Sequence, residues 1–171
     1  MSDQDVASPQ STKQTIVVVD DDTVIVHLCT PILEQTGFSV LPATNSSEAL
    51  KICKNHPGPI YLLLTDLVML PPEFSLASGD NEFPHVHGHE LAVRALRMRK
   101  DLRVILMSDN IDQDLAGYDI RRGGLPFLPK PFEHQPLVAL ARQTLQERPS
   151  SVENLTAAPS GIPTVGDEWF D

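Results

Sequence analysis

Five polar side chains stand at or just beyond the ends of apolar runs, and their types suit the chemistry of phosphate groups. Asp20 and Asp21 follow the run TIVVV, and Asp66 closes the run LLLTD. Ser108 ends the run VILMS, and Lys130 follows FLP. A buried carboxylate is costly unless something pairs with it. Each acid therefore needs a partner that only the fold can supply.

Brought together, these side chains would form a site for a cation and an anion at once. Three carboxylates in one place repel one another and cannot all stay ionised unpaired. A hard divalent cation such as Mg²⁺, which prefers carboxylate, water and phosphate oxygens, relieves that repulsion. Lys130 adds a positive charge for a transient anion, and Ser108 adds a hydroxyl donor. Such a clamp stabilises a phosphoryl group during transfer, and Asp66 would be the nucleophile that accepts it.

Strand and helix patterns alternate along the chain, and this alternation predicts that the five side chains meet. Short β-branched or apolar runs predict buried parallel strands over Thr15–Asp20, Phe38–Leu41, Ile60–Thr65, Val104–Met107 and Leu125–Leu128. Apolar residues at helical spacing and capping residues predict helices over Thr23–Thr36, Asn45–Asn55, Gly88–Lys100, Asp112–Arg122 and Glu133–Glu147. Five βα units predict a three-layered, doubly wound parallel sheet. In such sheets the ligand site lies beyond the carboxyl ends of the strands.

Four segments resemble the receiver domains of two-component response regulators. They are VVVDDD at 17–22, LLLTDLVM at 62–69, VILMSD at 104–109 and FLPKPF at 127–132, and the resemblance covers about Thr15 to Gln146. A motif gains weight from its structural context, and these four occur in the family's order at strand ends. The resemblance implies a flavodoxin-like (βα)5 fold. It also implies Mg²⁺-dependent phosphorylation of Asp66 by a histidine kinase or a phosphotransfer protein.

The resemblance assigns the metal ligands as well. It implies that Asp21 ligates Mg²⁺ directly and that Asp20 does so through water, with Asp66 as both phosphoacceptor and ligand. The backbone carbonyl of Val68, two residues past the acceptor, would be the third protein ligand. Taken alone, paired acids after a strand are usually a helix N-cap, a role that Asp22 or Thr23 also suits.

Three further roles follow from the same resemblance. Lys130 would contact the phosphoryl group, aimed by a cis Lys130–Pro131 peptide, a geometry that is essentially confined to proline. Ser108 and Phe127 match the hydroxyl and the aromatic residue of the family's switch pair. Taken alone, Lys130 reads as an ordinary surface lysine and Phe127 as a core aromatic.

Composition predicts one domain with two tails. Residues 14–148 form the predicted receiver domain, 1–13 a flexible arm, and 149–171 an acidic and mostly disordered tail. Trp169 and Phe170 in that tail fit either a docking peptide for another protein or a disordered end that happens to hold two aromatics.

Two features depart from the family pattern. The segment 70–87 is an inserted loop, more than a dozen residues longer than is usual after the acceptor strand, and loops of this size are commonly functional or disordered. It leads into the alternating histidines His85, His87 and His89, which fit either a transition-metal site or a solvated loop that opens a helix. Asp109, next to Ser108, adds a carboxylate that would repel a phosphoryl group unless it points outward or pairs with Lys130.

Charge and composition argue against nucleic-acid-binding, membrane and secreted proteins. A net charge of −10 over 171 residues argues against nucleic acid as a direct partner, because phosphate binding needs a basic surface. No apolar run reaches membrane-spanning length, and the polar N-terminus is not a secretory signal. A cytoplasmic protein is therefore the expectation, with Cys29 and Cys53 as buried, reduced thiols.

Three functional hypotheses follow. The leading one is a stand-alone receiver that signals by contact with an unidentified downstream protein, and that is an enzyme only in catalysing its own phosphorylation and dephosphorylation. The second is a degenerate receiver that acts as a phosphorylation-independent scaffold. The third is a small phosphatase or hydrolase, which would need an acid two residues past Asp66, where this chain has Val68.

Overall fold

A computed structural model describes residues 13–71, 82–117 and 125–156 of the chain. Parts of several predicted segments lie outside the described residues. These are nearly all of the N-terminal arm, the middle of the inserted loop, the end of the predicted fourth helix, and the C-terminal tail beyond residue 156, which includes Trp169 and Phe170.

Five parallel strands form one sheet. They are β1 (Thr15–Val19), β2 (Ser39–Ala43), β3 (Leu62–Asp66), β4 (Arg103–Ser108) and β5 (Phe127–Pro129). Their order is β2-β1-β3-β4-β5, and every neighbouring pair is parallel. The reversal of strand order between β1 and β3 creates a crevice at their carboxyl ends. The predicted flavodoxin-like (βα)5 sheet is confirmed.

Helices follow each strand. They are α1 (Thr23–Gln35), α2 (Ser46–Asn55), α3 (Gly88–Met98), α4 (Ile111–Gly117) and α5 (His134–Gln146), with a sixth, α6 (Val152–Thr156), near the end of the described chain. The capping chemistry fits the predicted starts. Asp22 caps α1 by accepting the N–H of Val24 at 3.0 Å, and Asn45 caps α2 by accepting the N–H of Glu48 at 2.9 Å.

The two faces of the sheet carry separate apolar cores. One face packs Val18 and Leu64 against α1 and α5, where Cys29 and Leu137 are fully buried. The other face packs side chains of β1, β3 and β4 against α2 and α3. Both faces of the central strand are thus covered, so β3 is held firmly from each side and Asp66 at its end occupies a fixed position.

The ordered chain continues past the predicted boundary at residue 148. Ser150 donates its N–H to the Leu102 carbonyl at 3.0 Å and accepts the N–H of Val104 on its Oγ at 3.1 Å. Leu155 of α6 is 2% exposed and joins the core beside α3. Composition suggested a tail here because α6 is only five residues long and contributes just two apolar side chains.

None of the helices in the described part of the chain is both long enough and apolar enough to span a bilayer.

Candidate functional site

Three carboxylates converge where β1 and β3 end. Asp20 directly follows β1, and Asp66 is the last residue of β3, the central strand. Together with Asp21 they place one oxygen each within 4.8 Å of one another. Asp20 is fully buried and Asp66 is 7% exposed. The cluster is therefore held in a poorly solvated position, where repulsion between the charges is strong.

Lys130 supplies the positive charge that this cluster needs. Its Nζ lies 2.7 Å from Oδ2 of Asp20 and 3.1 Å from Oδ1 of Asp66. The predicted cis peptide between Lys130 and Pro131 is present. The backbone is fixed as well, because the Lys130 N–H donates to the Ser108 carbonyl at 2.8 Å. The lysine side chain is 7% exposed, so it reaches the acids from a buried position.

The burial of this cluster shifts the pKa of each member. Desolvation, and then the charge of Asp20, raise the pKa of Asp66 to about 8 against the opposing pull of Lys130. Desolvation also raises the pKa of Asp20, although Lys130 and the Asp22 N–H oppose it. Burial alone would lower the pKa of Lys130, but its bonds to the two acids outweigh burial and raise it. One lysine thus does not compensate three acids, and without a metal ion Asp66 stays largely protonated at neutral pH.

Asp21 differs from its two neighbours. Its Oδ2 accepts the N–H of Leu70 at 3.1 Å. That bond and the contacts with Asp66 and Asp20 outweigh partial burial, so the pKa of Asp21 lies below its usual value. Asp21 is therefore the acid of this cluster that is most readily ionised and available to a cation.

An open cleft of about 400 Å³ lies over the carboxylates. Besides the three acids and Lys130, its lining includes Val68, Leu70 and Asp109. The exposed side chain of Asp109 borders the cleft, so its charge faces any anion that enters. The donors at this site are oxygen atoms, which is the set that a hard cation such as Mg²⁺ prefers.

The hydroxyl of Ser108 is directed toward α4. Its Oγ donates to the carboxylate of Asp114 and accepts the N–H of Asn110 at 3.1 Å. Ser108 is 1% exposed, and its neighbour in β5 is Pro129. A serine hydroxyl has one proton to donate, and here that proton is given to Asp114. Phe127 at the start of β5 is half-buried and packs against the core on the α2–α3 side.

The loop after β3 is tied back to its own beginning. The N–H of Met69 donates to Nδ1 of His87 at 3.1 Å, and Nε2 of His85 donates to the Met69 carbonyl at 2.9 Å. The Gly88 N–H donates to the Leu67 carbonyl at 2.9 Å. A Cβ at Gly88 would lie 2.0 Å from the carbonyl oxygen of Asp66, so only glycine permits this approach.

The structure confirms that a helix opens at Gly88 and His89, but it places the three histidines in neither a transition-metal site nor a solvated loop. Among the described residues, the one group of three or more potential metal ligands is Asp20, Asp21 and Asp66. His85 and His87 bind the Met69 backbone, and His89 donates to the Leu155 carbonyl at 3.2 Å. All three therefore make backbone contacts of the folded domain and do not belong to a solvated loop.

Three groups at this site were not predicted from the sequence: Asp114, the Leu70 N–H, and the ring nitrogens of His85 and His87. The signal for Asp114 is weak, since it is an acid six residues after Ser108 within an acidic helix. A stronger signal existed for the histidines. They alternate directly before a glycine that opens a helix, which is the spacing of an extended segment that presents both rings to one side.

Comparison with known proteins places these observations in a family. A family model described as the response regulator receiver domain matches residues 16–142. The DNA-binding transcriptional regulator NtrC of Azospirillum brasilense is 29% identical over 154 residues, a match that covers 90% of this chain and 27% of NtrC. Because the chain spans under a third of that relative, the DNA binding named for NtrC is not carried over to it. The stand-alone character expected above stays a prediction.

Solved structures agree on the fold. The receiver domain of the hybrid histidine kinase CckA is 27% identical, with a TM-score of 0.57, covering 77% of this chain and 99% of that one. A CheY-like response regulator receiver domain protein from Methanospirillum hungatei JF-1 has a TM-score of 0.58 at 23% identity, covering 78% of this chain and 94% of the other. At that identity the second likeness speaks for the fold alone.

Proposed function

The chain belongs to the response regulator receiver domain family, and from this premise we propose that it accepts a phosphoryl group on Asp66 with the help of Mg²⁺. The donor would be the phosphohistidine of a histidine kinase or of a phosphotransfer protein. The phosphorylated chain would then signal by contact with a downstream protein.

One observation carries this proposal. Asp66 ends the central strand at the floor of an open cleft, between two further carboxylates and the amine of Lys130. A carboxylate that needed only structural pairing would be satisfied by the lysine. A cluster that one lysine does not fully compensate, next to a solvent-accessible cleft, has room for a cation that displaces the proton of Asp66 and then for an incoming anion.

The transfer itself is a displacement at phosphorus. A carboxylate oxygen of Asp66 attacks the phosphorus of the donor, the new P–O bond forms as the donor's P–N bond breaks, and the imidazole nitrogen leaves with the bonding electrons. Because the phosphorylated imidazole carries a proton on its other ring nitrogen, the products are an aspartyl phosphate and a neutral histidine on the donor. Lys130, which pairs with Asp66 before transfer, would then balance charge on the phosphoryl oxygens.

Asp20, Asp21, Asp66 and the carbonyl of Val68 would hold the cation. Bound Mg²⁺ would neutralise charge on the transferring phosphoryl group. Asp21, whose pKa is lowered, suits direct ligation. One oxygen of Asp20 accepts from the Lys130 amine and the other accepts the Asp22 N–H at 2.9 Å, which suits contact with the cation through water.

Ser108 and Phe127 would carry the change to the surface. After phosphorylation, the Ser108 hydroxyl would leave Asp114 and donate to a phosphoryl oxygen. This exchange would raise the population of a second conformation of α4 and of the neighbouring Phe127 in β5. The surface formed by α4, β5 and α5 would then present a different shape to a downstream protein.

A scaffold that works without phosphorylation is the second candidate. It is favoured by the charge of Asp109 at the cleft and by the commitment of the Ser108 hydroxyl to Asp114. Partner binding that is unchanged in Asp66→Ala would support the scaffold.

Beryllofluoride, a stable mimic of the phosphoryl group, tests the proposed function. With Mg²⁺ present, we expect backbone amide signals to shift around Asp66, Ser108 and Phe127, and to stay in place in Asp66→Asn. Unchanged signals in the wild-type chain at saturating beryllofluoride and Mg²⁺ would refute phosphoacceptor function.

A further inference from the structure

Two consecutive peptide planes beyond Asp66 are held by hydrogen bonds from side chains. The first joins Val68 to Met69, and its N–H donates to Nδ1 of His87 at 3.1 Å. The second joins Met69 to Leu70. Its carbonyl accepts from Nε2 of His85 at 2.9 Å, and its N–H donates to Oδ2 of Asp21 at 3.1 Å.

The planarity of the peptide turns the His87 bond into an orienting contact. In a trans peptide the N–H and the C=O point in opposite directions from one rigid plane. The N–H of Met69 and the carbonyl of Val68 share such a plane. When His87 fixes the N–H on one side, the Val68 carbonyl is fixed on the other side, where Val68 lines the cleft.

We propose that His87 is a positioning residue for the cation site, aiming the Val68 carbonyl into the cleft, and that His85 supports it by fixing the following peptide. The inference rests on the proposed function, because it is the Mg²⁺ site that the carbonyl serves. It answers what the alternating histidines of the inserted loop do.

The histidines are themselves well supported. Val86, between them, donates its N–H to Oγ of Ser46 at 2.9 Å, and Oγ of Ser47 donates to the carbonyl of Phe83. Phe83 is 8% exposed and packs into the core. The returning segment is thus anchored on α2, and the two rings are rigidly placed next to the acceptor strand.

The two rings also fix one another. They meet edge to face, with centroids 5.5 Å apart and an interplanar angle of 81°. Nδ1 of His85 is buried with no hydrogen-bond partner among the described residues. His87 must leave Nδ1 unprotonated to accept from Met69. Both rings therefore act as directional hydrogen-bond groups toward the Met69 backbone.

The length of the loop explains why such a device is needed. Residues 67–87 separate β3 from α3, and a long connection fixes the peptides at its start less well than a short one because more conformations are open to it. Bonds from the end of the loop back to its beginning remove that freedom. The peptides that follow the acceptor strand therefore keep a fixed geometry despite the length of the insertion.

Substitutions at His87 separate positioning from stability. His87→Asn retains an acceptor at the δ position, whereas His87→Leu keeps similar bulk without an acceptor. His89→Leu is the matched control, since it also removes one bond between a histidine and a backbone group, here the Leu155 carbonyl of α6. Mg²⁺ affinity is measured by calorimetric titration, and urea unfolding in chelator verifies that each variant is folded.

We expect His87→Leu to weaken Mg²⁺ binding about tenfold, the size of effect typical for groups that orient metal ligands. His87→Asn should restore binding to within about threefold of wild type, and His89→Leu should lose stability without losing affinity. His85→Leu is the second variant, and its loss should be smaller because Asp21 still holds the Leu70 N–H.

Wild-type affinity in His87→Leu, or equal losses in His87→Leu and His89→Leu, would overturn the positioning role while leaving the proposed function intact. A wild-type chain that binds no Mg²⁺ would overturn the proposed function and this inference with it.

Discussion

The loops after β3 and β4 border the same carboxylates, yet they are prepared for binding in opposite ways. After β3, the peptides at Met69 are held by His85, His87 and Asp21. After β4, the one hydroxyl proton of Ser108 is given to Asp114 on α4. We infer that the cation half of the site is built before phosphorylation, whereas the switch half has to exchange one hydrogen-bond partner for another.

This difference fits the two requirements of a phosphorylation switch, which are a fixed cation site and a movable output surface. A site that binds a cation benefits from fixed ligands, because no ordering cost is then paid on binding. A switch needs two arrangements of similar free energy, so that a phosphoryl group can shift the balance between them. The bond between Ser108 and Asp114 supplies the arrangement that holds before phosphorylation.

The largest expected effect concerns the acid that both loops enclose. The pKa of Asp66 is about 8 in the folded protein against an ordinary value of 3.8, so the folded state binds this proton more tightly than the unfolded state. Without Mg²⁺, the free energy of unfolding should therefore fall as pH rises from about 4 to about 8, by up to ~1.4 kcal/mol per pH unit. Asp66→Asn should lack this contribution.

Urea unfolding of both chains in chelator, at several pH values, measures that difference. The two stability curves should meet near pH 4 and separate toward pH 8, with Asp66→Asn the more stable chain there. Parallel curves would show that Asp66 is already ionised, and that Lys130 balances the cluster better than its geometry suggests.

The approach of α3 to the acceptor strand is the next most sensitive feature. In Gly88→Ala the new Cβ would meet the Asp66 carbonyl at 2.0 Å. Because that contact is with backbone, which cannot move aside cheaply, we expect a loss of about 3–4 kcal/mol. Gly58→Ala is the control, since its Cβ would meet only the end of the His56 ring at 3.4 Å. Equal unfolding midpoints for the two variants would contradict the close approach of α3 to the backbone of the acceptor strand.

Lys130 is the charge on which the metal-free site depends. Lys130→Met should destabilise the chain in chelator at pH 8 by about 2–3 kcal/mol, because it leaves the buried acids without a counter-charge. Added Mg²⁺ should stabilise this variant more than it stabilises wild type. Lys54→Met, which removes an exposed lysine paired with Glu82, should change stability by under about 1 kcal/mol. Equal, small losses in both lysine variants would argue against a charge-dependent cluster.

The smallest expected effect tests most directly whether the loop after β4 must exchange a hydrogen-bond partner. Asp114→Ala releases the Ser108 hydroxyl, so beryllofluoride should bind more tightly by about 1 kcal/mol, or about fivefold. Asp112→Ala removes an equal charge from an exposed position on the same helix and serves as the control. The gain should vanish in a Ser108→Ala background. An equal gain from Asp112→Ala would assign the effect to charge repulsion alone.

The fold followed from sequence because its signals are local and repeated. Buried parallel strands such as TIVVV are nearly all apolar, and the caps at Asp22 and Asn45 mark where helices begin. Because the carboxyl ends of parallel strands meet at one edge of the sheet, the topology alone predicted that Asp66 and Lys130 lie at the same site.

The contacts of the inserted loop and of α4 did not follow from sequence, because they join side chains to backbone atoms far apart in the chain. His85 reaches a carbonyl sixteen residues away, and no pattern specifies which peptide a ring nitrogen meets. Helix α6 was missed because it depends on tertiary burial of Leu155 and has little helical preference of its own.

Chemical trapping of the phosphorylated residue tests the central claim most directly. The chain is incubated with acetyl phosphate in Mg²⁺ or in chelator and then reduced with borohydride, which converts an aspartyl phosphate to homoserine, and its peptides are sequenced by mass spectrometry. We predict homoserine at position 66, dependent on Mg²⁺ and absent from Asp66→Asn. Homoserine at Asp109 or Asp114 instead, or no homoserine with Mg²⁺ present, would contradict the assignment of Asp66 as the phosphoacceptor.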